Sequence, residues 1–343
     1  MRPPYRPQRI LLTGVTGTTG RLLLPALAGL GAPIRALTHR AEPDLSQRRH
    51  AEFRRGDLER PSSIRGIADG CDVVVHAARR GGFAILDRDR QRRIHVGGTE
   101  AVLREAQSAG ASLFVLLGYT GTVQEREDVS SAVDETTPPE AEYVSDTVRL
   151  LYESEALVLE ANRAAGLRTL VVSPGVLAAP TAGTQTVLGG LIGAFLRREL
   201  PYRMLEEVWL AVTEGSDLGR CVAGAITRGQ GGRRYFATGE CLQLHSLFER
   251  ITRLTGVAAP RRRIPDLLVE ELGLLTPLLP PQSFLRQLVL PRELVFHLRR
   301  LAPLANTRTR SELAFTPTPL EELLAVYARQ ERVPVRDVAG AAG

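Results

Sequence analysis

Short apolar runs alternate with amphipathic stretches through the first half of the chain. Ile10–Thr13, Ile34–Thr38, Asp72–Ala77, Leu113–Leu117 and Thr169–Ser173 are apolar almost throughout, as strands buried on both faces are. Between them, Arg21–Leu30, Pro61–Ala68, Ile94–Ala109 and Leu150–Ala165 repeat apolar residues at three- and four-residue spacing, which predicts helices. Gly31, Gly70, Gly110 and Gly166 fall where left-handed caps end helices. Strand–helix alternation of this kind predicts an α/β fold, a doubly wound parallel sheet covered on both faces.

After Pro174 the pattern loosens. Ala178–Gly190 is rich in Gly, Thr and Ala and predicts loop; Arg233–Thr238 predicts a returning strand, and Leu242–Thr255 a helix ended by Gly256. Ile264–Leu301 is apolar at helical spacing but broken by Pro265, Pro277, Pro280, Pro281 and Pro291. Two readings fit it: a mobile lid over a large apolar or aromatic substrate, or small helices packed on the core. The prolines interrupt every face long enough for a membrane-surface helix. The expected division is a nucleotide domain over 8–178, with returning segments at about 208–240. A smaller, mostly helical substrate lobe takes 179–207 and 241–332, with loose ends at 1–7 and 334–343.

Composition narrows the classes. Hydrophobic residues make 43% of 343, enough for a full core. All 44 basic residues are arginine; they are scattered among 38 acids, for a net charge of +6. Clusters such as Arg261-Arg262-Arg263 lack the aromatic neighbours of a single-strand reader, so no nucleic-acid partner is expected. Cys71, Cys221 and Cys241 lie far apart with no metal-ligand spacing; no metal is expected, and a reducing, cytoplasmic setting fits. The basic, Pro-rich start MRPPYRPQR reads as a disordered lead rather than a signal peptide, and no apolar run approaches the ~18 residues of a membrane span.

The most informative segment is Thr13–Gly20, TGVTGTTG, between an apolar strand and a helix-like stretch. Gly14 permits a tight turn, Gly17 lets backbone approach a pyrophosphate, and Gly20 lets helix and strand pack closely. The helix that follows aims unpaired N–H groups at the phosphates, and the hydroxyls of Thr16, Thr18 and Thr19 add donors. This is the Rossmann-type dinucleotide cradle in its required strand–turn–helix setting. The second strand ends in His39 and Arg40, where an NAD site usually carries an acid; a basic pair suits a 2′-phosphate, hence NADP(H). Asp57 and Leu58 follow the third strand, where a carboxylate could accept from the adenine amino group.

With these segments in order, the chain resembles the short-chain dehydrogenase/reductase superfamily in its extended, epimerase-like branch. The matching segments are TGVTGTTG, Gly56-Asp57-Leu58, CDVVVHAA (Cys71–Ala78), HVGGTEAVLREAQSAG (His95–Gly110), VDETTPP (Val133–Pro139), VLEANRAAGLRTLVVSPG (Val158–Gly175) and FTPTPLEELL (Phe315–Leu324). The resemblance implies that His76, Ala77 and Ala78 lie along the cofactor with Arg79 just beyond, and that Leu117 and Gly118 end beside the nicotinamide ribose. It implies that Pro174, Gly175 and Val176 present backbone to the carboxamide.

The family's Ser and Tyr-x-x-x-Lys are where this chain departs. A chain without lysine has no such pair. Anchoring on Glu155 puts Thr147 at the tyrosine position and Leu151 at the lysine position; Tyr119 stands near the serine position, and His95 replaces the family's structural Asn. Losing the acid costs roughly 10² to 10⁴ in rate, about 3 to 5.5 kcal/mol. Orientation of a ketone against reduced nicotinamide supplies about 7 to 11 kcal/mol, so hydride transfer survives the loss. The candidate proton donors are Tyr119 and His95; a packing role for Tyr119 and a capping role for His95 stand beside these readings. The expected activity is NADPH-dependent reduction of a carbonyl on a polycyclic aromatic, angucyclinone-like polyketide, as in antibiotic biosynthesis. An inactive NADP-binding sensor or assembly protein, and an epimerase with resident cofactor, are the alternatives.

Overall fold

The computed structural model describes residues 4–79, 87–140, 142–143, 145–162, 166–181, 184–274 and 290–336. A seven-stranded parallel sheet forms its centre, built from β1 (Ile10–Thr13), β2 (Ile34–Thr38), β3 (Glu52–Arg55), β4 (Val73–His76), β5 (Leu113–Leu117), β6 (Arg168–Pro174) and the strand Arg233–Ala237. The spatial order is β3-β2-β1-β4-β5-β6 followed by that last strand. Strand order reverses between β1 and β4, which opens the crevice where such sheets bind ligands. The uninterrupted apolar runs are explained by two faces, each with its own core. Ile10, Leu12, Val73, Val75, Leu113 and Val115 enter one cluster, and Leu11, Val74, Phe114 and Leu116 the opposite one.

Helices α1 (Thr18–Ala28), α2 (Leu45–Arg48), α3 (Arg88–Arg92), α4 (Gly98–Ser108), α5 (Gly121–Gln124) and α6 (Asp146–Ala161) connect the strands. A second sheet joins β7 (Val176–Ala178), β8 (Trp209–Glu214) and β10 (Cys241–Gln243), the strand β9 being Arg233–Ala237 of the main sheet. Of the returning stretch 208–240, β8 therefore belongs to the second sheet. The helix α8 (Gly215–Arg228), which packs on α1, and β9 complete the first. Helices α7 (Val187–Leu196), α9 (Leu244–Thr255), α10 (Asp266–Gly273), α11 (Arg292–Arg299), α12 (Thr307–Leu313) and α13 (Leu320–Gln330) follow. A third apolar cluster unites β8 with α7, α9 and α13, including Ile192, Phe195, Leu247, Phe248, Leu323 and Leu324.

Five expectations shift. Pro61–Ala68 gives only the 3₁₀ turn Pro61–Ile64, because Gly66 adopts φ +70° in its middle. Loop was expected through Gly190, yet α7 starts at Val187. Thr186 caps it through Gly189 N–H at 3.1 Å, and burial of Leu188, Ile192, Phe195 and Leu196 outweighs the glycines' poor propensity, about 1 kcal/mol each. The helix expected at Ile94–Ala109 splits into a π-turn, Arg93–Gly97, and α4. The loose lead is fastened from Tyr5 on: its N–H donates to the Thr227 carbonyl, its hydroxyl bonds Asp72, and Arg168 lies over its ring. The tail is held as far as Arg336, whose N–H meets the Leu254 carbonyl at 2.8 Å. The centre of the expected lid, 275–289, lies outside the described residues, as do 1–3 and 337–343. Among the described residues no helix is long and apolar enough to cross a membrane.

Candidate active site

The crevice at the strand-order reversal is a cavity of about 650 Å³. It is lined by Gly14, Thr16, Gly17, Thr18 and Thr19 at its floor, by His39, Arg40, Asp57 and Leu58 at one end, and by Ala77, Ala78 and Arg79 at the other. The three glycines differ in what forbids a side chain. Gly14 has φ +72°, and a Cβ there would sit 2.6 Å from Ala78 backbone. A Cβ on Gly20 would strike the Gly14 carbonyl and Val15 Cα. A Cβ on Gly17 meets only the Gly14 oxygen, at 3.4 Å, and Gly17 has ordinary extended backbone. The fold needs Gly14 and Gly20 to be bare; the open space over Gly17 is what a pyrophosphate requires. The first turn of α1 has no side-chain cap and no acid, so its N–H groups and helix dipole remain available to an anion. Gln47 supports the turn by donating from Nε2 to the Val15 carbonyl at 2.8 Å.

At one end of the crevice His39 Nε2 stands 3.5 Å from Asp57 Oδ2, while Arg40 is exposed at the rim. Lining residues that the pattern missed include Arg90, held by Glu59 through Nε and Nη2 at 3.0 and 2.9 Å, and Ile94. Neither belongs to a local motif; the fold of α3, which carries Arg90, and of the π-turn after it, which carries Ile94, brings them to the crevice.

At the other end the strand tips gather the remaining candidates. Arg79 Nη1 donates to the Gly118 carbonyl at 3.1 Å, just past Leu117. Gly175 N–H donates to Thr213 Oγ1 at 2.9 Å, between Pro174 at the end of β6 and Val176 at the start of β7. These six positions lie on neighbouring strand tips; of them only Arg79 lines the cavity described above, and Gly20 lies behind its floor.

Tyr119 follows Gly118. Burial and the nearby Glu125 raise its pKa, and Arg79 opposes them as a fixed positive charge. Its hydroxyl lies 3.0 Å from His297 Nε2, and the opposite nitrogen of that ring, Nδ1, bonds the Glu125 carboxylate. His297 and Glu125 are both buried. Sequence reasoning missed both, since they lie on α11 and just after α5, 172 residues apart.

The other positions lie on α6, just before it, and in the π-turn. Thr147 is buried in the first turn of α6, and Leu151 is half-buried one turn on. Tyr143 donates to the Thr122 carbonyl at 2.7 Å and packs against Tyr152 at 5.5 Å between ring centroids. Glu155 accepts from Thr122 Oγ1 at 2.9 Å and pairs with Arg234 in the interior. His95 sits within the π-turn, its carbonyl accepting from Thr99 at 2.6 Å. Its ring lies near His76, which burial and, secondarily, His95 hold down at a pKa of about 3.

Fold, crevice and sequence pattern define a class. The chain belongs to the NAD dependent epimerase/dehydratase family, whose model matches residues 10–210, and so to the extended branch of the short-chain dehydrogenase/reductases. Membership sets the reaction class as nicotinamide-dependent oxidoreductase or epimerase chemistry. Among individual relatives, the chain is 29% identical over 317 residues to sterol demethylase protein B of Methylococcus capsulatus, covering 90% of this chain and 93% of that one. It is 28% identical over 259 residues to the 4-hydroxy-2-methyl-3-oxo-4-farnesyl-3,4-dihydroquinoline-1-oxide ketoreductase of Stigmatella aurantiaca, covering 75% and 76%. The UDP-glucose 4-epimerase structure from Thermotoga maritima superposes with a TM-score of 0.74 at 18% identity, over 94% of this chain and 98% of that one, a likeness of fold.

Proposed function

We propose that this protein is an NADPH-dependent ketoreductase acting on a carbonyl of a fused-ring, largely apolar substrate of the angucyclinone type, without a Tyr-Lys dyad. The observation that carries the reading is Tyr119: a phenol just past the tip of β5, near the guanidinium of Arg79, which itself lines the crevice. Gly14, Gly17 and the first turn of α1 would hold the pyrophosphate, His39 and Arg40 the 2′-phosphate, and Pro174–Val176 the carboxamide end. Bound there, the reduced nicotinamide supplies hydride. Tyr119 then hydrogen-bonds the carbonyl oxygen and stabilises its developing negative charge. Arg79 favours charge on that phenol, as the family's lysine does. His95, enclosed beside His76, is the weaker candidate.

Two features support a fused-ring substrate. The relatives named above carry a sterol and a farnesyl quinoline oxide in their names. In this chain α10, packed on α11, leaves Leu267, Leu268 and Leu274 exposed, an apolar edge beside the helix that reaches Tyr119. The test is NADPH consumption, followed at 340 nm, with a panel of polycyclic aromatic ketones. Turnover with at least one such ketone, faster with NADPH than NADH, is expected. Tight NADPH binding without turnover of any ketone would leave a nucleotide-binding protein and sink the reductase.

A further inference from the structure

Tyr119, His297 and Glu125 form a chain of hydrogen bonds that no local motif announces. Tyr119 Oη faces Nε2 of His297 at 3.0 Å, and the two rings lie 5.8 Å apart at a 45° tilt. Nδ1 of the same imidazole bonds Glu125, and the imidazole and carboxylate are 0% and 2% exposed. The chain joins three elements: the tip of β5, the end of α5 and α11. A buried imidazole bridging a phenol and a carboxylate is held in one orientation, with one nitrogen committed to each partner.

We propose that His297 and Glu125 are a positioning pair that relays a proton through Tyr119 to the substrate carbonyl. This inference rests on the ketoreductase reading above. The imidazolium form of His297 donates Nε2–H to the phenol oxygen while the phenol O–H donates to the carbonyl oxygen. As hydride reaches the carbonyl carbon, the C=O π pair moves to oxygen, which takes the Tyr119 proton. The phenol takes the Nε2 proton, leaving neutral imidazole, alcohol and oxidised dinucleotide. Water admitted as product leaves returns a proton to the imidazole. Tyr119 stays neutral throughout, which matters because burial makes a free phenolate expensive there. Glu125 stabilises the imidazolium and fixes its ring.

Among the described residues, the charged groups that act on Tyr119 are Arg79 and Glu125. On α11 itself, Glu293 is bound to Ser145, and Arg292 and Arg299 both reach Glu270 of α10.

The test is a double-mutant cycle on the full chain with NADPH and a ketone it reduces. Tyr119→Phe and His297→Gln should each lower kcat by ~10² with KM for NADPH unchanged. The double variant should be no slower than Tyr119→Phe alone, because His297 acts only through the phenol. Additive losses would overturn the relay, as would full kcat in His297→Gln. Should His297→Gln fail to fold, Glu125→Gln replaces it in the same cycle with the same expectations. A second arm needs no turnover: with ¹⁵N-histidine labelling, one imidazole should change its Nδ1 signal in Glu125→Gln and its Nε2 signal in Tyr119→Phe. An imidazole that responds to neither change overturns the inference, whereas responses in a protein that reduces no ketone overturn only the reductase reading.

Discussion

The glycine turn separates what the fold demands of a residue from what a ligand demands. Gly17→Ala adds a methyl that meets one oxygen at 3.4 Å, so stability should stay within about 0.5 kcal/mol of wild type. The same methyl fills the approach to the pyrophosphate, and NADPH affinity by calorimetry should fall roughly tenfold or more. Gly14→Ala should do the reverse first. Its φ of +72° and the collision with Ala78 strain the backbone, at about 1–2 kcal/mol for the conformation alone. Undiminished NADPH binding in Gly17→Ala would remove the turn from the nucleotide site. At the rim, Arg40→Ala should weaken NADPH by ~10-fold, the value of about 1.5 kcal/mol for a charged hydrogen bond, and leave NADH unchanged. Equal losses for both nucleotides would mean that Arg40 does not read the 2′-phosphate.

At the scale of elements, the contact between α6 and α11 decides how Tyr119 is framed. Ser145 caps α6, accepting from Val148 N–H at 3.3 Å, and donates to Glu293 of α11 at 2.7 Å. Ser145→Ala loses the cap, about 1 kcal/mol, and leaves the Glu293 carboxylate short of a donor. Urea unfolding should show a loss of about 1–2 kcal/mol, and kcat should drop as α11 loosens against Tyr119; an unchanged midpoint would mean that α6 does not anchor α11. The same elements show where sequence is legible. β1, β4, β5 and β6 were readable because each strand feeds apolar clusters on both faces and must be apolar throughout. The end of α9 was readable because Gly256, at φ +74°, is a local necessity. The seven-residue stretch after Pro61 was not, since one glycine overrides its apolar spacing. The glycine turn at the floor of the crevice is a local motif and could be read directly. The pairing of Tyr119 with His297 could not, because 178 residues separate partners that only the folded chain unites.

For the whole molecule, acid stability follows from one group at the centre of the sheet. His76 ends β4, 1% exposed, its Nδ1 2.7 Å from Thr13 Oγ1 on β1. Burial, reinforced by His95, depresses its pKa from 6.5 to about 3. Between those values the unfolded chain binds a proton that the folded chain refuses, so folding weakens as pH falls. The contribution is fully present above pH ~6.5 and is lost progressively toward pH ~3. From pH 7 to pH 5 the loss amounts to about 2 kcal/mol, a sizeable part of the 5–15 kcal/mol that hold a typical domain. Because His76 and Thr13 join the two strands flanking the crevice, the loss falls on the crevice as well as on the fold. His76→Gln keeps a polar group against Thr13 but carries no titrating proton. Its urea midpoint should therefore decline less between pH 7 and pH 5, by the equivalent of about 2 kcal/mol. Every other titrating group is common to both chains and cancels in the difference. Parallel declines in the two proteins would show that His76 is protonated in the fold as readily as in the unfolded chain, and would move the origin of the acid response elsewhere.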